Sequence, residues 1–274
     1  MKIQNNYNVK QNTFKSGLTP AIREKINSIN VATVEREFRS LNVDCKLKNN
    51  KAYAGMLVYT TNLLDEATQK YKLPFSALPP RIRVYNSREL TIPEEEECTG
   101  FCLNASDKTL KNHRSFETGS IFLNNMSKDI DFFDKICTES HKVGFSSSDH
   151  FMSDVLHEFF HLIHFDIIFK NQGYEGSCPY AIKKYENPNI QNPSGERTIL
   201  DYSQKLDLFN RLRTHFFVCE YASTSKLELF AEVMTKIFAD SIDPKTMTLK
   251  NNPMDNLKQY PKFVRSFIEE QLML

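Results

Sequence analysis

Tryptophan is absent from the 274 residues, and no run of about 18 apolar residues occurs anywhere in them. The second absence excludes a membrane-spanning helix at the level of sequence. Charge of one sign is also missing: 35 Lys and Arg stand against 34 Asp and Glu, a net charge of +1. That balance gives no electrostatic case for a nucleic-acid or anionic-membrane partner. The acidic run Glu94-Glu95-Glu96-Glu97 reads as a solvated loop. There is no Gly-rich phosphate loop and no internal repeat. The segment MKIQNNYNVKQNTFKSG lacks the apolar core of a signal peptide, so a cytoplasmic location is expected, with export by a route that reads no such signal still compatible. Six cysteines (Cys45, Cys98, Cys102, Cys137, Cys178 and Cys219) follow no regular spacing, and the four-residue step from Cys98 to Cys102 is not C-x-x-C. They do not read as a disulfide framework, which points to a reducing compartment.

What is present is ordinary globular material. Hydrophobic residues make up 40% and charged residues 25%, and 21 Phe and 11 Tyr supply the core. Residues 1–17 read as a disordered tail. Thr19-Pro20 has the chemistry of an N-cap followed by proline at the first helical position, opening a helix to about Leu41 that breaks near Ser28-Asn30. Val43 to Leu47 is a strand candidate. Ala52 to Tyr71 carries apolar residues at helical spacing. Three further strand candidates follow at Arg81–Tyr85, Gly100–Asn104 and Gly119–Asn125. Ile130 to Ile136 is apolar and of ambiguous type. The stretch 173–197, with three Gly and three Pro, reads as an irregular insertion. Helical patterns return at Thr198–Arg213, Ser225–Asp240 and Tyr260–Leu272. The layout is α+β, with residues 18–118 forming an N-terminal part and 119–274 the main region.

The stretch Asp149 to His164 holds H-E-x-x-H as His157, Glu158 and His161. At 100° per residue, His150, Asp154, His157, Glu158, His161 and His164 fall within a sector of roughly 120°. Phe151, Met152, Val155, Leu156, Phe159, Phe160, Leu162, Ile163 and Ile167 occupy most of the remainder. A helix so apolar is buried on most of its circumference, and the imidazoles and carboxylates left on the stripe must be paired or must bind something. By chance the motif arises in roughly one chain of this length in a hundred, usually on a solvated helix face. An apolar surround does not suit that reading. Four residues apart, His157 and His161 project from adjacent turns of one face, the arrangement that lets two imidazole nitrogens share one zinc ion. Glu158 lies beside them, where a carboxylate can act as a general base toward water. Ser148 is the expected N-cap.

A catalytic zinc site needs a third protein ligand. The pattern H-E-x-x-H-x-x-G-x-x-H fails, because His164 and Ile167 stand where it requires glycine and histidine. His164 would place three ligands on one straight helix, so it reads better as a support for a ligand or as core filling. Ser225–Met234 offers Glu228 and Glu232, four apart on an otherwise apolar helix. One of these acids suits the metal and the other a hydrogen bond to a ligating imidazole; two solvated glutamates are the alternative.

H-E-F-F-H followed by E-L-F-A-E, with Tyr221 seven residues before Glu228, resembles the gluzincin metalloproteases typified by the anthrax toxin lethal factor catalytic domain, to which the clostridial Pro-Pro endopeptidases are related. The resemblance spans roughly residues 119–270. It implies a zincin-like fold with a small mixed sheet, one zinc per chain held by His157, His161 and Glu228, and Glu158 as general base. It also implies Tyr221 as a phenol on the oxyanion or leaving group and Glu232 as the acid behind a ligating imidazole; Tyr221 as an ordinary core tyrosine is the alternative. Residues 120–123 would be the cleft-edge strand that aligns an extended peptide or protein substrate. Phe160 departs from the glycine common at that position, and the gap from His161 to Glu228 is long. The expected activity is zinc-dependent hydrolysis of peptide bonds, in a housekeeping or an effector setting. The rival is a protein that keeps the fold and metal for binding alone.

Overall fold

The structure, a computed structural model, describes residues 17–86, 99–102, 119–171, 219, 221–223 and 225–273. The expectations for 105–117, 173–197, 198–213 and most of 215–219 lie outside these residues.

Two short helices open the described chain, α1 (Pro20–Ser28) and α2 (Val31–Ser40). The break falls where the sequence places it. Thr19 Oγ1 accepts from the Ile22 amide, and Asn30 Oδ1 accepts from that of Thr33, so each helix starts on its own side-chain cap. Strand β1 (Asp44–Lys46) follows, then α3 (Lys51–Tyr71), capped by Asn50 and closed by Lys72 in the left-handed region. Strands β2 (Arg81–Tyr85), β3 (Gly100–Cys102) and β4 (Ile121–Asn124) come next. The ambiguous segment from Ile130 becomes a helix, α4 (Ile130–Lys142), whose buried Ile130, Phe133 and Cys137 lie three and four residues apart. The motif helix α5 (Ser153–Asn171), a single 3₁₀ turn (Tyr221–Ser223), α6 (Lys226–Ala239), a 3₁₀ stretch (Pro253–Gln259) and α7 (Lys262–Leu272) complete the order.

The fold is mixed α/β. Its four-stranded sheet runs β1-β2-β4-β3. β1, β2 and β4 are parallel, with Cys45 opposite Ile82 and Val84 opposite Leu123. β3 is antiparallel to β4 and lies at the edge, with Gly100 opposite Leu123 and Cys102 opposite Ile121. All four residues of β4 are buried, as expected of an inner strand covered on both faces. The sheet thus joins strands from both sides of residue 118, and one continuous core runs from Ile22 to Leu272. Helices α1 and α3 pack closely: a Cβ on Gly55 would stand 2.7 Å from Ile26 Cγ1. Among the described residues no helix is long and apolar enough to cross a membrane. Cys45, Cys102, Cys137 and Cys219 are buried free thiols.

Two local expectations are corrected. Helix α5 begins at Ser153, so Ser148 is not its N-cap; Ser148 Oγ instead accepts from the His150 amide. His150 consequently precedes the helix rather than extending its polar stripe. Its Nδ1 accepts from the Met152 amide at 3.3 Å, and the Ser153 amide and hydroxyl both donate to its carbonyl. Burial lowers its pKa to about 4.

Candidate metal centre

Helices α5 and α6 pack extensively against each other, and both carry acids on buried faces. His157, Glu158, His161 and Glu232 each expose less than a tenth of their surface. Burying such groups costs several kcal/mol unless each is paired. The pairing is reciprocal between the helices. His157 Nε2 lies 3.0 Å from Glu228 Oε2 and 3.0 Å from His161 Nε2, and His161 Nε2 lies 3.1 Å from Glu228 Oε2. Ser225 sets the start of α6 by accepting from the Glu228 amide, which places the Glu228 side chain in the first turn, facing α5.

These three atoms make a near-equilateral triangle, and among the described residues they form the one group of His, Cys, Asp and Glu suited to a metal ion. Two imidazole nitrogens and a carboxylate oxygen directed at one another have more lone pairs than protons to share between them. A divalent cation resolves that conflict. Tetrahedral ligands at about 2.0–2.1 Å from zinc stand about 3.3–3.4 Å apart, close to the separations seen. The residues therefore fit a metal with three protein donors and an open side.

His157 is held from behind. Its Nδ1 lies 3.1 Å from Glu232 Oε1, which fixes the proton on Nδ1 and leaves Nε2 as the donor to the centre. Glu232 is itself clamped: Oε2 accepts from the Ser147 amide at 2.8 Å and from the Cys219 thiol at 3.1 Å, and its carbonyl accepts from Ser147 Oγ at 2.8 Å. Burial opposes charge on His157, but its bonds to Glu228 and Glu232 outweigh that and raise its pKa well above the ordinary value. Burial likewise opposes charge on Glu228, and His161 and His157 more than compensate, holding it well below the carboxylate range.

Glu158 sits beside the triangle. Its Oε2 is buried without a hydrogen-bond partner among the described residues. Burial pushes its pKa up to about 7 against the pull of His157 and His161. The edge strand passes directly over it: a Cβ on Gly100 would lie 3.5 Å from Glu158 Cγ and 3.0 Å from the Phe122 carbonyl oxygen. The tight neighbours of such a Cβ are on β4, the Phe122 carbonyl oxygen and Leu123 Cδ2 at 3.1 Å, whereas the distance to Glu158 is an ordinary contact.

Tyr221 is brought to the site. Its ring lies 5.8 Å from that of His157 and stacks on Phe145 at 5.3 Å. His164 is not. It is completely buried, with Nε2 3.1 Å from Gln271 Oε1 of α7 and its ring stacked on Phe230 at 4.1 Å. These contacts fit the core-filling reading of His164. Phe160 points into the core between Phe75 and Phe238, at ring separations of 5.9 and 5.0 Å. The expectation that residues 120–123 align an extended partner also needs correction. Residues 121–123 pair with β2 on one side and β3 on the other, so they have no free backbone edge to offer. Ser147 and Cys219 escaped sequence reasoning, since nothing in their type or spacing marks them as partners of Glu232.

No protein-family model matches the chain, and comparison with curated proteins and with solved structures likewise gives no match.

Proposed function

We propose that this chain is a zinc-dependent endopeptidase of the gluzincin type, with a zincin-like fold. The observation that carries the reading is the convergence of His157 Nε2, His161 Nε2 and Glu228 Oε2 beside a buried carboxylate, Glu158, that has no partner of its own among the described residues. A closed structural zinc site would be rich in cysteine and would not need that extra acid. Two nitrogens and one oxygen suit zinc among the common divalent ions.

A zinc ion so held would polarise a peptide carbonyl and make water a nucleophile near neutral pH. Glu158 is the base that takes the proton of the attacking water on its free carboxylate oxygen and hands it to the departing amine. Its pKa near 7 suits a group that must both accept and release a proton. Tyr221, with its ring alongside His157, donates its phenol to the developing oxyanion. Glu232, clamped by Ser147 and Cys219, keeps His157 in the tautomer that faces the centre. β3 lies at one edge of the sheet among the described strands and comes within contact of Glu158, which suits an extended peptide lying along it. The substrate is thus assigned to the Gly100–Cys102 edge.

The test is zinc stoichiometry on the purified full chain, followed by cleavage of a peptide library. One zinc per chain and cleavage abolished by Glu158→Gln, which keeps the metal, support the proposal. One zinc with no cleavage would leave a binding protein built on the same site, and no zinc after reconstitution would remove both.

A further inference from the structure

We propose that a cavity between α2, α3 and residues 75–78 docks a partner protein, taking one apolar side chain flanked by Lys or Arg. The cavity shares no residue with the metal centre, and the inference does not depend on the peptidase reading. It measures about 310 Å³, at the lower end of the range of binding pockets.

Three walls build it. On α3, Val58, Thr61, Asn62 and Asp65 stand at positions i, i+3, i+4 and i+7, so they share one helix face. Glu37, Phe38 and Leu41 bring the C-terminal end of α2 to that face, and residues 75–78 close the third side. The lining residues that are buried are Phe38, Leu64, Phe75 and Phe159, so the interior is apolar. Thr61 adds little polarity to it, because its hydroxyl already donates to the Leu57 and Val58 carbonyls.

The mouth says what fits. Five large apolar side chains are exposed among the described residues, and two of them, Leu41 at 57% and Leu78 at 42%, stand on this rim. A small molecule filling the cavity would leave both leucines in water. A chain segment that inserts one side chain and lies across the rim covers them as well. Charge then sets the flanks of that side chain. Glu37 and Asp65 are the charged residues of the lining, and no Lys or Arg lines the cavity. The neighbouring Glu35 and Glu66 pair with Arg39 and Lys70, whereas among the described residues no ion pair holds Glu37 or Asp65. Glu37 also lies in the last turn of α2, where the helix dipole adds about half a negative elementary charge. A Lys or Arg beside the inserted side chain meets this potential, and an acidic flank is repelled by it.

The experiment measures binding of fluorescein-labelled eight-residue peptides to the purified full chain by fluorescence anisotropy. Each peptide carries a central Leu, Met, Phe or Tyr flanked on both sides by Lys, Arg, Ser or Glu, and mass spectrometry verifies that it stays intact. For at least one central residue, the Lys and Arg peptides should bind on the order of tenfold more tightly than the Ser peptide, and the Glu peptide more weakly still. Leu78→Asp should weaken the best peptide on the order of tenfold. Asp65→Lys combined with Glu37→Lys should reverse the order of the Lys and Glu peptides. Thermal melting and circular dichroism first show that each variant is folded. Absence of a basic preference in wild type overturns the proposal whether or not the variants fold. A preference that folded variants leave unchanged overturns it too, since the peptides then bind elsewhere. If n-hexylamine binds as tightly as the best peptide, the cavity is a small-amine site instead. If sedimentation shows self-association that Leu78→Asp abolishes, the face joins copies of this chain, and either result overturns the proposal.

Discussion

His164 is held neutral by its surroundings, and this makes a quantitative claim about acid stability. Burial lowers its pKa to about 3, against the hydrogen bond to Gln271. An unfolded chain gives histidine about 6.5. The folded value lies below the unfolded one, so the unfolded state takes up the proton first as pH falls. The stability gained by keeping the ring neutral is complete above about pH 6.5 and drains away between there and about pH 3. Integrated from pH 7 to pH 5, this one residue removes about 2 kcal/mol. The perturbation is the pair His164→Phe with Gln271→Leu. The phenyl ring keeps the stack on Phe230, and the leucine leaves no amide oxygen without its partner. Guanidinium unfolding at pH 7 and pH 5 in the presence of a chelator, which removes metal linkage, gives the two stabilities. The double variant should lose about 2 kcal/mol less than wild type over that interval, whatever its absolute stability. It should also bind zinc as tightly as wild type, since His164 contributes no atom to the triangle of His157, His161 and Glu228. An unchanged pH difference, or zinc lost from the variant, would refute the assignment of His164 as a neutral core residue.

Removal of Glu228 and removal of Glu232 should separate cleanly. Glu232→Ala is expected to weaken zinc about 10- to 100-fold in a competition with a chromophoric chelator, and Glu228→Ala to weaken it further because a donor is gone; the reverse order would exchange their roles. Cys219→Ala should speed zinc release to excess chelator several-fold by loosening Glu232, while Cys219→Ser, which keeps a donor to the same oxygen, should come close to wild type. Equal release from the Ala and Ser variants would make the thiol mere packing. Tyr221→Phe should retain zinc and lower kcat on the order of 10²–10³-fold, and a variant at full rate would return Tyr221 to the role of a ring packed on Phe145.

How far the site was legible depended on where the information sits. His157, Glu158, His161, Glu228 and Glu232 lie on two helices, and a helix converts sequence spacing directly into geometry. An acid or imidazole stripe on an otherwise apolar helix must be answered by something, and on α5 and α6 each stripe is answered by the other. His164 lies on the same sector by periodicity, three residues past His161, and its contacts with Gln271 of α7 and with Phe230 fit the core-filling alternative. His150 differs from expectation because the helix starts later than the polar residues suggest, which leaves it in the turn before Ser153. Ser147 and Cys219 come from segments whose conformation no repeat encodes, and only the folded chain shows that both meet at one carboxylate.

The sheet obeys the opposite logic. Strand candidates were readable locally, Arg81–Tyr85 from its alternation, but strand order is a matter of long-range pairing that local pattern does not carry. The run Ile121–Asn124 is the most apolar of the four, and that is a property of an inner strand covered on both faces. Among the described strands β1 and β3 stand at the two edges of the sheet, and β3 is the one that comes close to Glu158. Its glycine at position 100 would ordinarily count against strand structure. Here a Cβ would crowd the Phe122 carbonyl oxygen and Leu123 Cδ2 of β4, at 3.0 and 3.1 Å, while only touching Glu158 Cγ at 3.5 Å. Gly100→Ala therefore tests the layout directly. The added methyl should push β3 outward and reduce turnover, while the triangle of His157, His161 and Glu228, which β3 does not help to build, keeps its zinc. Loss of zinc in that variant would mean that the strand supports the metal centre itself rather than roofing the base beside it.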